Sequence, residues 1–424
     1  MGRLAVILSL MLCAAPVAAQ EFATLKGHGG PIMGIAVAPS GQVATGSFDN
    51  SVGLWDGGMP RWLEGHAAAV TALTWGPEGT LVSGGDDFAV RVWGEAPRVL
   101  GQHQGKVAAL AVSPNGRTVA SGSWDGSIVL WSLDGDEGTA LPAPGAGVNA
   151  VAYDGADTLY AATMAGALLR YDLGTDDAPV ALVQHGFGIN RLALGPGWIA
   201  YGAVDGGTRV IDLQTGAPIA DLTLDRRPIL AMSYNAPSHQ LAVGDGEGYI
   251  MIVDTESWQI TRDFRATRQG PVWALAFSPD GTVIHAGGLD DAAYSWPVEA
   301  LDVFEPGIDG ARSFLRAAET MPNGERQFMR KCSICHALTA GPSRKAGPTL
   351  HGVFGRRAGT VPGYSYSDTL DGSDITWNEA TIDALFDQGP DHYIPGSKMP
   401  MQVIAGGSDR ADLIDYLKQA TKGE

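Results

Sequence analysis

Val43-Ala44-Thr45-Gly46-Ser47-Phe48-Asp49-Asn50-Ser51-Val52-Gly53-Leu54-Trp55-Asp56 decides how most of this chain folds. Two short apolar runs flank a polar turn, the pattern of a strand, a tight turn and a second strand. Upstream lie Gly27-His28, the run Ile35-Ala36-Val37 and a Pro39-Ser40-Gly41 turn. The same order returns with Gly65-His66, Leu81-Val82-Ser83-Gly84-Gly85, Asp87 and Val92-Trp93. It returns again with His103, Val119-Ala120-Ser121-Gly122-Ser123, Asp125 and Leu130-Trp131. Trp55, Trp93 and Trp131 fall 38 residues apart. Weaker copies close at Tyr171-Asp172-Leu173, Val210-Ile211-Asp212-Leu213, Ile252-Val253-Asp254 and Tyr294-Ser295-Trp296, giving seven units.

Pro-x-Gly turns recur at Pro39, Pro77, Pro114 and Pro279, and 58 glycines supply backbone for tight turns. Four strands per ~40 residues cannot bury their own faces, but units stacked around an axis can, which is a propeller. The units resemble WD40 repeats over residues 22–298. That resemblance gives His28, His66, His103 and His185 a structural part, each bonding a turn Asp of its unit. Departures are visible. The fourth unit has Ala165 at the Asp position, the sixth has Glu247, and the seventh keeps Asp290 and Trp296 without the His. His239 reads as a loop residue, and His285 as a strand residue facing core or channel. Phe22 to Lys26 precede the first unit and are expected to supply the outer strand of the last, closing the ring without a free edge.

Beyond a linker at 299–321, in which Ala311 to Glu319 could form a short helix, stands Cys332-Ser333-Ile334-Cys335-His336. This spacing lets two thiols add to the two vinyl groups of a haem while the adjacent imidazole reaches its iron. A redox Cys-x-x-Cys calls for a βαβ setting, and the flanks are helical and polar. A zinc site calls for a second ligand pair, and no cysteine remains for one.

Residues 322–424 resemble the class I cytochromes c, mitochondrial-type and bacterial c2-like. Gly324 to Phe328 lead a helix into the Cys-x-x-Cys-His segment, with Asn323 as its expected N-cap. Gly347-Pro348-Thr349-Leu350-His351-Gly352-Val353-Phe354-Gly355-Arg356 matches the family's proximal loop. There Pro348 would pack on His336 and the backbone would accept the ring's other N–H. Tyr366, Trp377 and Arg356 match positions that line the haem and hold its propionates. Tyr393-Ile394-Pro395-Gly396-Ser397-Lys398-Met399 matches the methionine-ligand loop, which implies iron held by His336 and Met399. Met401 is the rival, two residues on, and the loop match favours Met399. Ala411 to Ala420 match the C-terminal helix. Phe386 and Leu370 stand where the mitochondrial form has a Tyr and an Asn, which removes polar groups near the haem and is expected to change its internal water and potential. Asp391-His392 replace lysines, so the docking face is expected to be less basic. The fold expected is thus multidomain: an all-β seven-bladed propeller followed by an all-α cytochrome c domain carrying one covalent haem c.

Gly2-Arg3, the apolar run Leu4 to Leu12 and Val17-Ala18-Ala19 read as a signal peptide over residues 1–20, which would remove Cys13. No other stretch is long and apolar enough to span a membrane, so no span is expected after cleavage. An exported haem protein without disulfides suggests a bacterial periplasm. The net charge is −18; residues 322–424 carry 11 Lys and Arg against 12 Asp and Glu, so the acidity lies in the repeats. That disfavours nucleic acid and anionic lipid as partners.

The sequence therefore points to one-electron transfer with periplasmic redox proteins as donor and acceptor, the propeller serving as a scaffold for a protein partner. An alternative makes the propeller a catalytic oxidoreductase feeding the haem. Against it, the array has no cysteine pair and no cofactor fingerprint. A third reading, peroxidase or ligand-sensing activity, requires Met399 to leave the iron.

Overall fold

A computed structural model of the chain describes residues 22–300 and 320–422, apart from 57–58, 136, 268–269 and 342. The expected signal segment, Cys13, nearly all of the expected linker and its 311–319 helix lie outside these residues.

The described strands form seven antiparallel sheets of four. The first sheet runs through Ile32–Val37, Val43–Ser47, Ser51–Asp56 and Met59–Glu64 in sequence order, and the next five repeat that plan. The seventh takes Val272–Phe277, Val283–Gly288 and Ala292–Pro297, and completes itself with Ala23–Lys26 from the other end of the array. Ala23 lies opposite Ser295 and Lys26 opposite Ala292. Phe22 extends the closure, with ring centroids 6.2 Å from Tyr294 and 5.7 Å from Trp296. The expected ring closure is the one that forms.

Apolar burial between neighbouring sheets holds the ring. Ile32, Ile35 and Val43 of the first blade pack on Ala274, Ala276 and Ala293 of the seventh. Each inner strand carries a bulge near its start, as between Ile32 and Gly34 or Val70 and Ala72, which bends and twists the strand toward the axis. The recurring glycine of the second strand has a packing reason. A Cβ on Gly46 would stand 2.8 Å from Val70, and one on Gly287 would stand 2.5 Å from Ile32. The β-branched residue of the next blade fills the space that the missing side chain leaves.

Polar residues pin the blades from within. His28 donates from Nδ1 to Asp49 at 2.9 Å, accepts at Nε2 from Thr45 at 2.8 Å, and Trp55 donates to the same hydroxyl at 2.7 Å. His66, Asp87, Ser83 and Trp93 repeat the relay. In the third blade His103 bonds Ser127 instead, with Asp125 at 3.6 Å. His185 turns its ring over, bonding Asp205 from Nε2 and taking a proton donor from Arg209 at Nδ1. In the sixth blade Asp245, two residues before the expected Glu247, caps the turn by accepting from Glu247 N and Tyr249 N. His285 is buried in its blade, bonded to Ser295 at 2.7 Å.

The C-terminal domain is helical: α1 (Asn323–Lys331), α2 (Glu379–Gln388), α3 (Pro390–Tyr393) and α4 (Gly407–Ala420). Helix α4 packs Leu413, Ile414 and Leu417 on Phe328 of α1 and on α2. The α1–α4 crossing is close because a Cβ on Gly324 would overlap the backbone carbonyl of Asp412. Asn323 does not cap α1. Pro322 occupies the cap position, and the Asn323 amide instead donates to Asp409 at 2.8 Å and Asp412 at 2.6 Å of α4. The carbonyl oxygen that a cap would use instead accepts from Arg326 at 2.7 Å. Among the described residues no helix is long and apolar enough to cross a membrane.

Candidate functional site

The end of α1 tightens into a turn in which Cys332 N–H bonds the Phe328 carbonyl at 2.8 Å and His336 N–H the Cys332 carbonyl at 2.9 Å. That turn puts Cys332, Cys335 and His336 along one wall of a cavity of about 480 Å³. The chain then folds back. Gly347 N–H bonds the Cys335 carbonyl at 2.7 Å, and Leu350 N–H bonds Ala337 at 2.8 Å. The loop so placed lets His336 Nδ1 donate to the Pro348 carbonyl at 2.8 Å. Nε2 is left as the nitrogen available to a ligand partner. Gly347 lies against the imidazole, and a Cβ there would collide with the ring.

Met399 lines the same cavity, while Met401 is outside its lining, about half exposed and with its sulfur beside Gly389. Tyr364, Tyr366, Trp377, Phe386 and Leu370 complete the wall. Tyr364 donates to the Ala346 carbonyl at 2.8 Å, and Tyr366 accepts from Val361 N–H. Trp377 is held on the backbone of Arg356, its N–H 2.9 Å from that carbonyl. The Arg356 guanidinium borders the cavity and spends two donors, at 2.7 Å each, on the His351 and Thr349 carbonyls, pinning the loop that holds His336. Helix α2, which carries Phe386, starts at a capping box between Asn378 and Thr381.

Burial governs the electrostatics. It pushes the Cys332 thiol up to about 12, helped by Cys335, and raises Cys335 as well. A redox dithiol needs the opposite shift. Burial lowers the His336 pKa against the raising effect of the Pro348 bond, keeping the ring neutral as a metal ligand must be. Burial likewise lowers Arg356 and raises Tyr364, the latter to about 12. Ser367 Oγ is buried in the cavity wall without a hydrogen-bond partner among the described residues.

The cavity has a second set of walls that sequence reasoning missed. Phe48, Asn50, Ala67, Ala68, Ala69 and Asp86, all from loops at one face of the first two blades, also line it. Arg344 of the helical domain bonds Glu64 at 3.0 Å and lies 4.1 Å over the Trp62 ring. Nothing local in the sequence flags these residues, since they meet across some 280 positions.

A domain of four helices, with a Cys-x-x-Cys-His turn and a methionine facing one apolar cavity, is built to hold a ligated prosthetic group. Residues 322–421 match the family model for cytochrome c, and residues 19–56, 59–94, 94–132 and 258–296 match that of the WD domain, G-beta repeat. The helical domain is similar to the cytochrome c of Ginkgo biloba, 45% identical over 101 residues, which is 24% of this chain and 88% of that protein. Cytochrome c of Sesamum indicum is 46% identical over 100 residues (23% and 88%), and that of Cochliobolus lunatus 46% over 101 (23% and 91%). The chain belongs to the cytochrome c family through this domain, fused behind a seven-bladed WD40 propeller. Membership implies electron transfer through a covalently bound haem.

Proposed function

We propose that this protein is an exported, periplasmic one-electron carrier. Cys332 and Cys335 would hold one haem c, and His336 and Met399 would ligate its iron. The propeller is a scaffold for the protein that gives or takes the electron. The observation that carries this reading is the convergence of both thiols, the free Nε2 of His336 and Met399 on one apolar cavity.

The residues present fit such a group. Gly347 leaves room for the imidazole, the Pro348 carbonyl fixes its proton on Nδ1, and Ser367 keeps a buried hydroxyl for a polar edge of the bound group. When bound, the haem supplies a one-electron iron couple, and a thioether ligand favours the reduced state. Tyr364, Tyr366 and Trp377 line the cavity with aromatic rings that would keep water from it. Arg356 holds the loop and keeps a positive charge at the cavity border. With His336 and Met399 both serving as ligands, the site would relay electrons rather than turn over a substrate.

The test is to express the full chain with haem-attachment machinery and measure its mass, absorbance and cell fraction. One haem per chain, in the periplasmic fraction, is expected. Met399→Ala should lose the sulfur-to-iron charge-transfer band and Met401→Ala should keep it. A colourless protein, or a band lost with Met401, would overturn the ligand set.

A further inference from the structure

The mouth of the haem cavity faces the chain's own propeller. Loops of the first two blades bring Phe48, the Ala67–Ala69 segment and Asp86 into the wall of the cavity that holds Cys335, His336 and Met399. The contact is anchored at one residue. Arg344 stacks on Trp62, pairs with Glu64, and presses its backbone carbonyl against Gly29. The three nearest atoms to a Cβ built on Gly29 all belong to Arg344. We propose that the propeller is an intramolecular gate: its first two blades dock on the cavity mouth, and a protein redox partner reaches the haem only when that contact opens. This rests on the haem reading above.

The strength of the contact suits a gate. A single exposed ion pair and one cation–π contact are weak and salt-sensitive. Tethering in one chain gives an effective concentration of about millimolar, and the apolar wall adds to these two interactions to keep the contact mostly closed. The cavity wall supplied by the blades is made of one aromatic ring, three alanines, an amide and a carboxylate, a patch of few residues that can close and reopen. A small reagent could enter at the edge of the contact, whereas a folded protein could not.

Gly29 offers a clean wedge. Its N–H bonds Asp49 at 2.8 Å, a bond that any residue except proline keeps, and its crowding comes from Arg344 of the other domain. Haem-loaded full chains of wild type, Gly29→Val and Glu64→Arg would be compared by small-angle scattering and by oxidation kinetics. The oxidants are a small cobalt–phenanthroline complex and a folded blue-copper protein, which needs about 800 Å² of free surface to dock. Both variants should have a larger maximum dimension. Their rate with the copper protein should rise about tenfold, the factor that losing this pair of contacts gives. The rate with the cobalt complex should stay within about twofold, as a freely accessible edge requires. Circular dichroism checks that the blades remain folded; Glu64→Arg carries the test if Gly29→Val does not fold. Variants as compact as wild type, or rates that rise equally with both oxidants, overturn the gate. Haem absorbance reports separately on the prosthetic group, and the scattering result stands without it.

Discussion

His336 donates its Nδ1 proton to the carbonyl of Pro348 at 2.8 Å, and the residue before that proline, Gly347, leaves its side-chain space to the imidazole. The ring is therefore held from the edge by a hydrogen bond and on a face by bare backbone. Neither neighbour can give way, because Gly347 N–H is itself fixed on Cys335. Gly347→Ala should destabilise the haem domain by about 1–3 kcal/mol through overpacking. Pro348→Ala keeps the carbonyl and gives up the ring's place in the cavity wall and its restriction of the unfolded chain, the latter about 0.4–1 kcal/mol. Denaturant unfolding followed at the haem absorbance compares the two, and equal losses would refute the separation.

Met399 and Met401 differ in placement more than in chemistry, one in the cavity wall and the other half in solvent. Axial ligation tunes haem potentials over about 0.8 V, and replacing a thioether by an imidazole moves them downward. Met399→His should lower the midpoint potential by about 0.2 V or more on that scale. Met401→Ala should leave it where it is. Spectroelectrochemical titration of the three proteins decides.

Acid should weaken the propeller in two stages. Burial drives the His285 pKa down from 6.5 to about 4, and its partner is the neutral hydroxyl of Ser295. Between those values the unfolded chain takes a proton that the folded blade refuses, so stability is lost as pH falls from 6.5 toward 4. The loss is about 3 kcal/mol, at about 1.4 kcal/mol per pH unit. Asp49 and Asp87 act lower. Burial raises their carboxyl pKa, but bonds and attraction from His28 and His66 outweigh it, and the net shift is downward from 3.8. Their contribution is present above 3.8 and lost as pH falls through the folded values. Thermal melts of His285→Gln should fall less than wild type across the first window, where burial still lowers His103 in the same direction, and fall alike in the second.

The repeats were legible because each blade writes its own strands, turns and closing tryptophan locally, so the ring closure from Ala23 to Ser295 followed from counting units. The Cys332-Ser333-Ile334-Cys335-His336 segment was legible because its chemistry is contiguous. What stayed hidden was relational. Asn323 carries a cap residue's side chain, yet two acids 86 and 89 positions later claim it. Glu247 occupies the expected register, yet Asp245 does the capping, because turn geometry sets which carboxylate meets the N–H groups. Arg344 looks like a surface cation until Trp62 and Glu64 are seen beneath it.

The seam between first and seventh blades puts the packing account to its hardest test. A Cβ on Gly287 would stand 2.5 Å from Cγ2 and 2.7 Å from Cβ of Ile32, which is fully buried and hemmed in by Ile35 and Ala274. Replacing glycine in a strand interior gains about 0.5–1 kcal/mol of backbone entropy. Overpacking a closed core costs about 1–3 kcal/mol, so the clash outweighs the gain. Gly287→Ala should lower the propeller's melting temperature, and Gly287→Val should lower it further. Gly94 is the control: it is exposed, and a Cβ there meets nothing within 4 Å. Gly94→Ala should leave the melt unchanged or raise it slightly. Far-ultraviolet circular dichroism follows the blades while haem absorbance follows the other domain, so a loss confined to the first signal locates the strain at the seam. A Gly287→Val melt equal to wild type would mean that the ring is not held by the fit between neighbouring blades.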